Sequence, residues 1–168
     1  MTTDGLLVAL TGRFPTSAVV DSHGQDVVYV DRADWAAVAR WLRDEQGFEQ
    51  CADITAVDQM PLPHRALPPG VHQERFEVVA NYLSYTRNRR LRVIAQVPDG
   101  EAIDSLFDCF PGVEMPEREV YDLFGVGFTG HPDLSRLLMP DDWEGHPLRK
   151  DDAPSRVPVQ FKDAPRPS

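Results

Sequence analysis

Four sets of residues in the second half of this 168-residue chain have types and spacings that could do chemistry. Gly125, Gly127 and Gly130 spell GxGxxG, the pattern of a dinucleotide-binding loop. Glu117 and Glu119 are neighbouring carboxylates that could share acid and base roles. His131 and His146 each precede a proline, in HPDL and GHPL, and are potential ligands for zinc or iron. Ser135 is a potential hydroxyl nucleophile.

None of the four finds its required context. A pyrophosphate-binding loop must leave a strand and open a helix whose N-terminus meets the phosphates. Here the glycines follow a helical pattern and run into His131-Pro132, so they read as a helix-terminating turn. Carboxylates two residues apart on a helix point to different sides, so Glu117 and Glu119 fit a dipole or interface role better than an acid/base pair. No HExxH or comparable ligand spacing accompanies the histidines, which are expected to fix turns by hydrogen bonding. Ser135 lacks a GxSxG elbow. The two cysteines, Cys51 and Cys109, have no CxxC spacing and are half the thiolates an iron–sulfur cluster usually takes. They read as ordinary buried thiols. The residues themselves thus predict no catalytic, cofactor-binding or metal-binding group.

The elements that must position this region are legible upstream. Leu6, Leu7 and Leu10 form one face of a short opening helix ending near Gly12 and Pro15. Ala18–Val20 and Val27–Val30 flank Ser22-His23-Gly24-Gln25 as a hairpin. Asp31 and Asp34 suit the start of a second helix, Trp35, Val38, Ala39 and Leu42 recur at its spacing, and Gly47 ends it. Cys51–Val57 reads as a buried strand, followed by a loop with Pro61, Pro63, Pro68 and Pro69. Phe76–Leu83 and Leu91–Val97 alternate with period two and join through Thr86–Arg90. Short helices are predicted over Ile103–Phe107 and Pro116–Phe124. In the latter, Pro116 takes the first position, Val120, Leu123 and Phe124 are the apolar face, Arg118 and Asp122 pair at i,i+4, and Gly125 is the stop.

The order predicts an α+β two-layer sandwich, a mixed sheet with helices on one face, plus an extended C-terminal arm. The expected division is a globular domain over residues 1–125 and a Pro/Gly-rich arm over 126–168 that packs on a partner subunit. Prolines 154, 158, 165 and 167 exclude regular helix or central strand at its end. Trp143, Pro140, Pro147 and Leu148 make an apolar surface beside Arg136, Arg149 and Lys150. Two readings stay open for it: a loop folded back over its own domain, or a partner contact with aromatic and arginine anchors.

Net charge is -10, which opposes nucleic-acid binding. The basic cluster Arg87, Arg89, Arg90 and Arg92 reads as a solvated hairpin tip, with docking to an acidic neighbour as the second reading. Leu6–Leu10 is too short to span a bilayer and no basic residue precedes it, so a cytoplasmic location is expected.

The run EREVYDLFGVGFTGHPDLSRLLMPDDWEGHPLRKD closely resembles the signature of the thirty-kilodalton subunit family of respiratory complex I, the C-type subunit of bacterial NADH–quinone oxidoreductase. Similar sequences occur as the J-type subunit of the chloroplast and cyanobacterial complex and in membrane-bound hydrogenases. The signature covers Glu117–Asp151, with weaker similarity through Asp53–Thr55, the hairpins and the Asp31–Gly47 helix. The positions that match are Glu117, Arg118, Glu119, Tyr121, Asp122, Phe124, Gly125, His131, Pro132, Asp133, Arg136, Pro140, Trp143, Gly145, His146, Pro147, Leu148, Arg149, Lys150 and Asp151.

The resemblance implies that these are structural and interface residues in a peripheral-arm subunit on the cytoplasmic side of the membrane. It implies no cofactor in this subunit, with FMN, Fe–S clusters and quinone held by others. Implied partners are the D-type (forty-nine-kilodalton) subunit and the neighbouring Fe–S subunits of B and I type. The whole complex would be an NADH:quinone oxidoreductase coupled to ion translocation. Alternatives are the equivalent subunit of a ferredoxin-dependent chloroplast-type complex or membrane-bound hydrogenase, and, from a different class, a small dinucleotide-binding enzyme. Two departures stand out: Met115 where the family often has tryptophan, and Asp152-Ala153-Pro154 where it often has Tyr-Pro.

Overall fold

The computed structural model describes residues 3–60 and 66–152. Pro61 and Pro63 of the expected loop and the proline-rich residues 153–168 lie outside the described residues.

Helix α1 (Thr3–Arg13) leads into the hairpin β1 (Ala18–Ser22) and β2 (Gln25–Val30). Its turn puts His23 and Gly24 at φ 55° and 80°, which favours glycine at the second place. Asp31 then accepts from Ala33 N, opening a 3-10 turn (Arg32–Asp34) that continues as α2 (Trp35–Asp44). Strands β3 (Gln50–Asp58), β4 (Phe76–Ser84) and β5 (Arg89–Val97) follow. The sheet order is β1-β2-β5-β4-β3, with β2 and β5 parallel and the other neighbours antiparallel, so the sheet is mixed as expected.

Period-two alternation decides which face each strand buries. Phe76, Val78, Ala80 and Tyr82 pair with Val97, Ala95, Val93 and Leu91. That face meets Leu6 and Leu10 of α1 and Trp35, Val38, Ala39 and Leu42 of α2 in one core. The opposite face carries a smaller cluster, Val27, Tyr29, Val79 and Ile94, covered by Leu67 and Val71 of the β3–β4 loop.

Several expectations are corrected. Cys51–Val57 is not buried on both sides: β3 is an edge strand with a bulge at Cys51–Asp53, and Asp53, Thr55 and Val57 face solvent. Ile103–Phe107 is not a helix. Ala102–Asp104 (β6) pairs in parallel with Gly127–Thr129 (β7), and the amide of Leu106 bonds to a side chain instead of a helical carbonyl. The last helix, α3 (Glu114–Phe124), begins two residues before Pro116, and Pro111 occupies the start of the 3-10 turn (Pro111–Val113) that precedes it. Arg89 and Arg92 of the basic cluster are engaged with Asp26 and Asn81, so only part of that tip is solvated.

The fold also continues past residue 125. Val126 and Phe128 are buried in the main core, and β7 is hydrogen-bonded to β6.

Candidate functional site

The signature residues gather around α3 and the irregular segment that follows it. The helix contributes two buried carboxylates. Glu117 accepts from Leu106 N at 2.7 Å and from the Ser105 hydroxyl at 2.5 Å, closing the turn between β6 and α3. Burial raises its pKa above the usual carboxylate value, while Ser105, Leu106 and His131 partly offset that rise. Glu119, two residues on, is exposed, so the two carboxylates do point apart.

Asp122 is the second. Its Oδ2 accepts the successive amides of Leu137, Leu138 and Met139 at 3.0, 2.7 and 2.8 Å, and its Oδ1 takes the Arg136 guanidinium at 2.7 Å. Burial alone would raise this carboxyl, but the three N–H groups and Arg136 outweigh it and hold the pKa at about 2. Such a ring of donors replaces the hydration that a buried charge has lost. The expected Arg118–Asp122 pair is not formed: Arg118 donates instead to the carbonyls of Ser135 and Arg136 and to the Ser135 hydroxyl.

The helix ends as expected. Gly125 adopts φ 75° and its N–H bonds to Tyr121 O at 2.9 Å. A Cβ there would stand 2.6 Å from the His146 ring, which donates from Nδ1 to Asp122 O at 2.9 Å. Leu148 N donates to Leu123 O at 3.0 Å. Residues 137–139 and 146–148 are thus both tied to the C-terminal end of α3.

His131 pins the other end. Asp133 N–H donates to its Nδ1, which puts the ring proton on Nε2 facing Glu114 O at 3.0 Å. Both histidines fix turns, as their sequence contexts imply. Gly125 ends a helix and Gly127 opens a strand, the reverse of the order in a phosphate-binding loop.

A third clasp was not legible in the sequence. Arg149 forms a two-pronged bond to Asp99 at 2.6 and 2.8 Å. Buried Asp58 takes Arg75 at 2.8 and 2.9 Å and the amide of Lys150 at 2.7 Å, and Asp151 takes Arg75 at 2.6 Å. Both guanidinium carbons lie 5.2 Å from the Phe76 ring. These partners are 17 to 92 residues apart, and no local pattern announces them.

Tyr121 and His146 rings meet edge to face, and Phe124 packs against the core. Gly145 sits at φ 89° with its carbonyl on Arg136. Trp143 folds inward, its indole N–H enclosed with no acceptor among the described residues. Pro132, Asp133, Pro140, Pro147, Leu148 and Lys150 face outward. Among the described residues no group of three His, Cys, Asp or Glu side chains could hold a metal ion. Nor is any described helix long and apolar enough to cross a membrane.

Together these define a small mixed-sheet α+β domain with an irregular segment pinned onto its last helix. The family model described as "Respiratory-chain NADH dehydrogenase, 30 Kd subunit" matches residues 28–157, and the chain belongs to that family. It is 39% identical to the C-type subunit of NADH-quinone oxidoreductase from Saccharopolyspora erythraea, over 96% of this chain and 64% of that protein, so it spans slightly less than two thirds of that relative. It is 40% identical to the same subunit from Geobacter metallireducens, over 94% of this chain and 96% of that one. A trypsin-resistant fragment (1–134) of Nqo5 superposes with TM-score 0.66 at 29% identity, over 77% of this chain and 98% of the fragment. A chain of an archaeal membrane-bound sulfane sulfur reductase shares the fold, with TM-score 0.74 at 21% identity, over 94% of this chain and 88% of that one.

Proposed function

We propose that this chain is a non-catalytic peripheral-arm subunit of a proton-translocating NADH–quinone oxidoreductase. It acts as a scaffold for the quinone-site module formed with the D-type subunit, near the Fe–S subunits of B and I type. Electrons from NADH pass through FMN and Fe–S clusters to quinone in those other subunits. The chain lies on the cytoplasmic side of the membrane and is held there through the complex. The segment beyond Gly125 provides the contact.

One observation carries this reading. Arg118, Arg136, Arg149, Asp122 and Asp151, charged residues well placed for chemistry, all bond to backbone groups or opposite charges that fix residues 135–151 in place. Glu117 is committed to the turn that precedes α3. Charges committed this way build a rigid surface, and rigid surfaces bind with little ordering cost. Family membership supplies the assembly to which such a surface belongs.

The test is co-expression with the D-type subunit. The two should co-purify and melt at higher temperature together than apart, because a partner that binds only the folded state stabilises it. Separate elution with unchanged melting contradicts the proposal. Co-purification with hydrogenase subunits instead would assign the same scaffold to a related membrane complex.

A further inference from the structure

We infer that the outer face of the clasped segment, Leu138 and Leu148 with Asp141, Asp142 and Glu144 between them, docks a partner protein by an apolar contact ringed with the partner's lysines or arginines. The inference rests on the subunit reading above and adds where the contact lies and what chemistry recognises it.

The backbone anchors both leucines at the same helix end. Leu138 N is tied to Asp122 at the C-terminal end of α3, and Leu148 N is tied to Leu123 at the same end. Their side chains nevertheless remain 59% and 48% exposed. A lone exposed leucine is unremarkable on any surface. Two leucines held outward by a backbone pinned at both points are a different case, because the chain has already been ordered without covering them. That arrangement favours an apolar contact made from outside.

Charge sorting around them indicates what fits. The arginines of the segment turn inward: Arg136 to Asp122, Arg149 to Asp99, and Arg118 of α3 to the backbone at 135–136. Asp141, Asp142 and Glu144 are exposed and form no hydrogen bond or ion pair among the described residues. Between the two leucines along the chain the exposed charges are therefore all acidic, and Lys150, just past Leu148, is an exposed cation at the edge of this face. The acidic stretch repels anionic lipid and nucleic-acid phosphates and complements a basic protein surface. Rim charges of this kind chiefly set encounter rate and salt dependence, whereas central apolar contacts set the dissociation rate.

The experiment measures affinity of the full chain for the tagged D-type subunit across a NaCl titration. The proteins are wild type, Asp141→Lys/Asp142→Lys/Glu144→Lys, Leu138→Ser/Leu148→Ser, and Arg90→Glu at the hairpin tip as a distant charge control. All five substituted face side chains are exposed, so the variants should melt with the wild type. The charge variant should weaken binding at least about tenfold at low salt and reverse its salt dependence, since added salt screens the new repulsion. The leucine variant should weaken it about tenfold at every salt concentration and leave the slope unchanged. Arg90→Glu should bind as wild type does. If wild type binds and both face variants bind equally well, the inference is overturned and the subunit reading stands. Failure of wild type to bind at all overturns both.

Discussion

The Arg136 guanidinium donates to Asp122 Oδ1 at 2.7 Å while the next three amides in the chain converge on Oδ2 of the same carboxylate. One buried acid therefore organises four consecutive residues of a loop with no regular structure. Removing it strands a guanidinium and three N–H groups. Asp122→Ala should cost about 3–5 kcal/mol, the range for breaking a buried ion pair by deleting one partner. Urea unfolding measures the loss. Amide exchange at Leu137–Met139 should accelerate more than at β4 and β5, which separates local release from global weakening.

The same carboxylate sets an acid limit. Its folded pKa of about 2 lies below the ordinary 3.8, so its contribution is complete above pH 3.8 and is lost as pH falls toward 2. The difference corresponds to about 2 kcal/mol. Glu117 has the opposite sign: its raised pKa means that stability is gained as pH falls through that value toward the ordinary 4.5. Urea midpoints should thus rise slightly on mild acidification, then drop steeply below about pH 4. Asp122→Asn should make the steep limb shallower, with the rest carried by Asp58, Asp151 and Glu49, whose carboxyls are also held low, and leave the mild rise. A monotonic decline from neutral pH in the wild type would contradict these assignments.

Glu117 can be separated from its charge. Glu117→Gln keeps an acceptor for Leu106 N and should lose no more than about 1 kcal/mol at neutral pH, because it also removes a buried charge. Glu117→Leu leaves that amide and the Ser105 hydroxyl unpaired and should cost about 2–4 kcal/mol. Equal losses in thermal or urea unfolding would mean that volume, not the hydrogen bonds, closes this turn.

Gly125 tests the close approach at the helix end. Gly125→Ala meets a left-handed φ of 75° and a Cβ 2.6 Å from the His146 ring. A loss above about 1 kcal/mol, the usual strain of a left-handed alanine, is expected. His146→Ala in the same chain should relieve the excess. A double-mutant cycle in urea reads that coupling directly, and strict additivity would show that the ring yields without cost.

How far the sequence foretold this depended on whether a feature was local. The β4–β5 hairpin and α2 were legible because their apolar periods of two and 3.6 persist over nine and ten residues. Gly125 as a stop followed from the abrupt end of the α3 pattern. Strands β6 and β7, three residues each, are too short for any period to register. The Arg118–Asp122 pairing failed because Asp122 faces inward, where Arg136 from beyond the helix reaches it first. Glu117 gave no sign of burial, since its main partner is a backbone amide, which no residue type marks. The open question at Trp143 depended on the same distant contacts: Arg149, Lys150 and Asp151 lie against Asp99, Asp58 and Arg75, and this folds the segment back on its domain.

At the centre of the proposed function, this chain lends rigidity to a neighbour and performs no chemistry alone. Differential scanning calorimetry of the chain, of the D-type subunit and of the two co-expressed tests this most directly. A single shared transition several degrees above either separate one is expected. Two unshifted transitions, with the proteins eluting apart, would contradict it.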